Sequence, residues 1–151
     1  MNKLLRFIDK IFVPEIAYAH CDVPCCIYDP KPAEIAAAAV AKMVDKIVNP
    51  PSLDEKDQAS RVNFHNNMTR FVIVKEQEAQ RCKNELLILW SDFFKPEHLE
   101  TFPELHDKFW KAVKLCSKNK QEVSLQTAGE LVAAVDEIAG MFEKAKAVLK
   151  K

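Results

Sequence analysis

Glycine is almost missing, with two residues in a chain of 151. Backbone turns with positive φ lean on glycine, so its scarcity points away from many tight turns and toward long helices. Net charge is missing too. Lysine and arginine number 22, aspartate and glutamate 22. No basic field is therefore available to attract nucleic acid or an acidic lipid surface. Apolar residues make up 48% of the chain, yet no apolar run is long enough to cross a bilayer. There is no nucleophile–base pairing and no glycine-rich phosphate loop. A complete disulfide framework is excluded as well, because the five cysteines are odd in number.

What is present fits one domain. The periodicity predicts four helices packed as an all-α, up-and-down four-helix bundle over 33–151. The first covers 33–48, with Ile35, Val40, Met43, Val44 and Ile47 as its apolar stripe, and Asn49-Pro50-Pro51 stops it. The second covers 58–92, with Phe71, Val72, Ala79, Cys82, Leu86 and Leu89 at helical spacing. Pro103 is placed to open the third, lined by Leu105, Phe109, Ala112, Val113 and Cys116. The fourth starts near Ser124, with Thr127 and Glu130 at capping-box spacing as a second candidate start. Its stripe runs Ala128, Leu131, Val132, Val135, Ile138, Ala139, Phe142, Ala145, Leu149. Cys82 and Cys116 read as small core hydrophobes. Trp90 and Trp110 read as core or subunit-contact residues. His65, His98 and His106 lack partners at ligand spacing and read as surface or structural.

A bundle does not identify a function; the N-terminal stretch carries the chemistry. Residues 1–19 look like a leader, with Lys3 and Arg6 early and Ala17-Tyr18-Ala19 as a small-residue cleavage pattern. Its apolar stretches are short and interrupted, so it makes a poor secretory signal. This favours maturation in the cytoplasm, with export to the periplasm as the alternative. Cutting after Ala19 would expose the amine of His20.

The loop that follows, 20–32, holds His20-Cys21-Asp22-Val23-Pro24-Cys25-Cys26. Two thiols three residues apart can close on one soft metal ion, and the metal takes them as thiolates. Pro24 stiffens the loop between them. An N-terminal His20 would add an α-amine of pKa about 7.7–8.0, easily deprotonated by a metal. It would also add its imidazole, and the Cys21 peptide nitrogen lies one chelate step away. Two nitrogens and two sulfurs in a plane suit Ni(II) or Cu(II), whereas zinc favours a tetrahedron. On these residues alone, a disulfide, a redox-sensing loop or half a zinc site stays open.

Continued through Ile27-Tyr28-Asp29-Pro30, the loop resembles the metal hook of the nickel superoxide dismutases, whose pattern is His-Cys-Asp-x-Pro-Cys-Gly-x-Tyr-Asp-Pro. Lys75-Glu76-Gln77, Leu89-Trp90-Ser91-Asp92-Phe93-Phe94-Lys95-Pro96 and Pro103-Glu104-Leu105-His106 also look like that family. The resemblance implies a four-helix subunit, a homohexamer, one nickel ion per subunit and a maturation peptidase. It implies nickel ligation by the His20 amine, the Cys21 amide nitrogen and the Cys21 and Cys25 thiolates. The His20 imidazole would be axial in the oxidised state. The implied reaction turns superoxide into dioxygen and hydrogen peroxide, with Tyr28 beside the open face of the metal. Asp22 and Pro24 would shape the hook, and Asp92 and Lys95 would hold it against the bundle.

Three positions depart from the family pattern. Cys26 stands where the family has glycine, and there it could compete as a ligand, oxidise, or point into a neighbouring surface. Ala36 and Glu78 stand where the family braces its axial histidine with glutamate and arginine. Glu78 is accordingly expected to accept the His20 ring N–H by itself. Phe93 stands where tyrosine is frequent. The competing functional class is a bundle whose cysteine loop stores or senses metal or redox state without turnover. A structural oligomer with a disulfide-locked arm is a third.

Overall fold

The computed structural model describes residues 27–148. Four α-helices dominate them: α1 Lys31–Val48, α2 Gln58–Ile88, α3 Leu105–Gln121 and α4 Leu125–Val148. Helix α1 packs on α2 and α4, and α3 packs on the same two. Each helix thus touches its chain neighbours and α4 closes on α1, the arrangement of an up-and-down bundle. Among the described residues, no helix is long and apolar enough to cross a membrane.

Local chemistry sets each boundary. The Asp29 carboxylate accepts the Lys31 N–H at 2.8 Å, and the Pro30 carbonyl accepts from Ala33 and Glu34. Pro32 lies in the first turn, where a missing N–H costs nothing. Helix α1 ends where the Asn49 N–H reaches Asp45 O, just before two prolines. Asp57 caps α2 by accepting from Ala59 and Ser60. Ser124 caps α4, its hydroxyl accepting the Thr127 N–H at 3.2 Å. The start at Thr127 is therefore not used; its hydroxyl donates to the Glu122 carboxylate instead.

Three readings of the helices need correction. The buried face of α1 is Ala33, Ala36, Ala37, Val40 and Val44, while Ile35 is 52% exposed. At about 100° per residue, Ile35 cannot share the face centred on Ala33 and Ala37, and small alanines let α1 sit close to its neighbours. Helix α3 starts at Leu105 rather than Pro103. Helix α2 gives way at Leu89 to a π turn, Leu89–Phe93, in which the Phe94 N–H reaches back to Leu89 O at 3.1 Å. A short 3₁₀ turn, Pro96–Glu100, follows.

The core is continuous and aromatic at the end nearest the π turn. Phe93 packs on Phe142 with ring centroids 4.3 Å apart and on Phe94 at 5.0 Å. Phe109 stacks on Trp90 at 5.8 Å. Full burial of a phenylalanine is worth about 1.5–3 kcal/mol, so this cluster anchors the segment that carries Phe93. At the other end, α2 is 31 residues long and α3 only 17, so the first half of α2 runs on beyond α3. Val62, Val72 and Ile73 there are exposed, so Val72 is no core residue.

One buried residue breaks the apolar pattern. Lys75 is 2% exposed. Its amine donates to the carbonyls of Asn119, Lys120 and Glu122 and pairs with the Glu76 carboxylate at 2.9 Å. A cation at the C-terminal end of a helix meets carbonyls that have no partner within the helix. Lys75 thereby ties α2 to the end of α3. Asn119, also buried, ties the same end to α4 through Thr127 O at 3.1 Å.

Candidate metal centre

The expected ligands His20, Cys21 and Cys25, together with Asp22, Pro24 and Cys26, lie outside the described residues. Among the described residues, no three His, Cys, Asp or Glu side chains converge as a metal site would require. What the structure defines is the ground on which the loop stands.

That ground starts at Tyr28. Its ring lies against Phe93, centroids 5.8 Å apart and tilted by 59°. Pro30 is buried, and the Asp29 turn launches α1 directly behind it. The root of the loop is therefore fixed by Tyr28, Asp29 and Pro30. All three belong to the motif, and each has a visible task here.

The π turn places the second group of expected residues. One extra residue in this turn rotates Asp92, Phe93 and Phe94 relative to α2, so that Phe93 faces both the core and Tyr28. Asp92 is half-buried beside it and accepts from the Ser91 hydroxyl at 2.7 Å. The Lys95 backbone N–H donates to His98 Nδ1 at 3.0 Å. Asp92 and Lys95 thus flank the residue that Tyr28 touches.

His98, read from the sequence as surface or structural, is a buried structural residue beside Phe93. It is 7% exposed. Its ring stacks on Phe93 at 5.9 Å and meets Phe94 edge-on at 5.6 Å. With Nδ1 accepting from Lys95, the neutral ring carries its proton on Nε2. Burial holds the imidazole below its ordinary pKa, and the Lys95 charge acts in the same direction against Glu97. The available signal was its place two residues after Pro96, in a turn bounded by aromatics. His106 is bound elsewhere, its Nδ1 accepting the Trp90 indole N–H at 2.8 Å.

Glu78 stands about 22 Å along α2 from Phe93, at 1.5 Å per residue. One of its carboxylate oxygens is buried and finds no hydrogen-bond donor among the described residues. Arg81 approaches that oxygen only to 4.0 Å. Ala36, on the facing helix α1, is fully buried, so a longer acidic side chain has no room there. The eight Cα-to-Cα steps from His20 to Tyr28 can span at most about 26–29 Å when extended, and a loop closed on one metal spans less.

Similarity to characterised proteins agrees with this geometry. Residues 15–146 match the family of nickel-containing superoxide dismutases. The nickel superoxide dismutase of Streptomyces seoulensis is 35% identical over 142 residues, covering 91% of this chain and 99% of that protein. The one from Streptomyces coelicolor is 34% identical over the same shares. A crystal structure of a nickel-containing superoxide dismutase in its oxidized nickel-ligation state superposes with a TM-score of 0.68. It is 34% identical and covers 85% of this chain and 99% of its own. A native nickel superoxide dismutase structure also superposes at 0.68, with 32% identity over 84% of this chain and 99% of its own. With the hook motif, the bundle and the match all running through the same residues, the chain belongs to the nickel-containing superoxide dismutase family.

Proposed function

We propose that this chain is a superoxide dismutase in which one nickel ion per subunit is held by the His20 amine, the Cys21 amide nitrogen and the Cys21 and Cys25 thiolates. The His20 imidazole would add a further nitrogen donor to the same ion. The observation that carries the reading is the family match over nearly the whole chain together with the intact ligand set of the motif. The bound nickel supplies one-electron cycling between Ni(II) and Ni(III). Two superoxide anions and two protons become dioxygen and hydrogen peroxide. The family assignment and the intact ligand motif favour this enzyme over a non-catalytic metal or redox sensor.

The chain's own residues set the conditions for that chemistry. Thiolate and amide donors are electron-rich and suit a planar nickel site. Asp22 and Pro24 shape the loop, Pro24 by narrowing its conformations before the metal arrives. Tyr28, held on Phe93, presents a phenol that can donate a hydrogen bond to a small anion. Phe93 removes one hydroxyl that many family members keep, so Tyr28 acts there without that neighbour. Asp92 and Lys95 position the segment against which the loop rests.

Glu78 would orient the His20 imidazole by accepting its ring N–H. Its buried carboxylate oxygen without a donor supports this role. Loss of such an outer partner costs about 10–100-fold in metal affinity or activity. Glu78→Ala is expected to lose activity in that range while its circular dichroism stays that of the parent. Undiminished activity would reject the brace.

The mature chain starts at His20, released in the cytoplasm by a maturation peptidase that removes residues 1–19. It assembles as a homohexamer; the exposed Val62, Val72, Ile73 and Trp110 are apolar surface that subunit contacts would cover. Intact mass and metal analysis on protein matured in its own cell test the reading. The expected result is a chain beginning at His20 with about one nickel per subunit, as the donor set requires. Zinc, no metal, or a retained leader would overturn it.

A further inference from the structure

The hook is not the only place where two thiols meet. Cys82 on α2 and Cys116 on α3 are both fully buried and both reduced. The two helices pack on each other, and each thiol feels the other as its strongest neighbour. The level of the pair is fixed independently, because the next residue on each helix, Lys83 and Ser117, also bonds across the same seam at 3.2 Å. One turn further along, Lys120 reaches Gln80 at 3.0 Å. Cys82 and Cys116 are therefore matched positions on two antiparallel helices. The metal-binding reading does not use them.

We propose that Cys82 and Cys116 form a peroxide-sensitive dithiol, oxidised to an internal disulfide that staples α2 to α3. The inference rests on the dismutase reading for the source of its oxidant, hydrogen peroxide. The step balances: the Cys116 thiolate attacks one peroxide oxygen, the O–O bond breaks, and hydroxide leaves as water with the thiol proton. The resulting sulfenic acid is attacked by Cys82, the S–S bond forms and a second water leaves. Two thiols lose two electrons and one peroxide gains them.

The roles follow from the surroundings. Cys116 is the better thiolate, held below its ordinary pKa by the neighbouring Cys82 and by the Lys83 charge, whose amine bonds Ser117 one residue on. Cys82 is pushed up by the neighbouring Cys116 and by burial and so keeps its proton, which makes it the resolving thiol. Peroxide is small and uncharged and reaches the pair when α3 loosens from α2. That requirement makes the oxidation slow compared with any exposed thiol.

The test uses the purified mature protein with hydrogen peroxide added from outside, so its outcome does not depend on whether the chain turns over superoxide. After free thiols are alkylated under denaturing conditions, trypsin releases Cys82-Lys83 and the 115–118 peptide. The expected result is a linked pair of these peptides, two mass units lighter than their sum and lost on reduction, and absent in Cys116→Ala. Oxidised protein should also melt higher than the same sample after reduction. Both peptides fully alkylated after peroxide, or Cys116 carried to the sulfinic acid without linkage, would overturn the proposal. The wild-type peptide map decides the matter even if the alanine variant fails to fold.

Discussion

A chain whose leader cannot be removed, for example Ala19→Pro, should fold normally and lose more than about 100-fold of its superoxide dismutase activity, along with its nickel. The argument starts from the donor set. While Ala19 remains attached, the His20 nitrogen is an amide and not an amine. The amine, with a pKa of about 7.7–8.0, gives up its proton to a metal at neutral pH; an amide does so far less readily. Even residues that only touch a ligand cost about 10–100-fold when removed, so loss of a donor should cost at least the upper end. The bundle should be indifferent, because its cap at Asp29 and its buried Pro30 lie downstream of the change. Cutting the retained leader in vitro after Ala19 and adding nickel should restore activity. A leader-bearing chain with full nickel and full turnover would remove the His20 amine from the site.

Much of this was legible in the sequence because the chain keeps one physical pattern at a time. Helix α4 repeats its apolar residues so regularly that every stripe position read from the sequence and described is buried or half-buried, Val132 among the latter. Periodicity served α1 less well. Its real face is mostly alanine, and alanine weighs little beside Ile35 when hydrophobicity alone is counted. In α2 the misleading residue was Val72, in the half that runs on beyond α3; Phe71 beside it is half-buried, with the Lys46 amine of α1 over its ring. The π turn was not legible, since one extra residue in a helix changes no composition. For the site, the hook motif named its ligands outright. His98 was read as surface or structural, and it is structural, packed between Phe93 and Phe94.

Lys75 escaped because a lysine is expected on the outside, and it carries the second large prediction. Lys75→Met keeps the aliphatic stem and removes the charge. Two effects oppose each other. Replacing a buried ion with an apolar side chain relieves a desolvation cost, and such swaps can be neutral when every partner goes with the ion. Here the partners stay behind. The carbonyls of Asn119, Lys120 and Glu122 all face the position the amine vacates. A buried acceptor left without a donor costs about 1–3 kcal/mol. Asn119 is fully buried, whereas Lys120 and Glu122 are only half-buried and can turn to water, so the orphaned carbonyls outweigh the relief at about 3 kcal/mol in all. In a domain of this size that lowers the melting temperature by about 10 °C. The loss should appear in the denaturant midpoint with an unchanged slope, since the surface exposed on unfolding is the same. A loss below about 1 kcal/mol would mean that water donates to all three carbonyls in place of the amine.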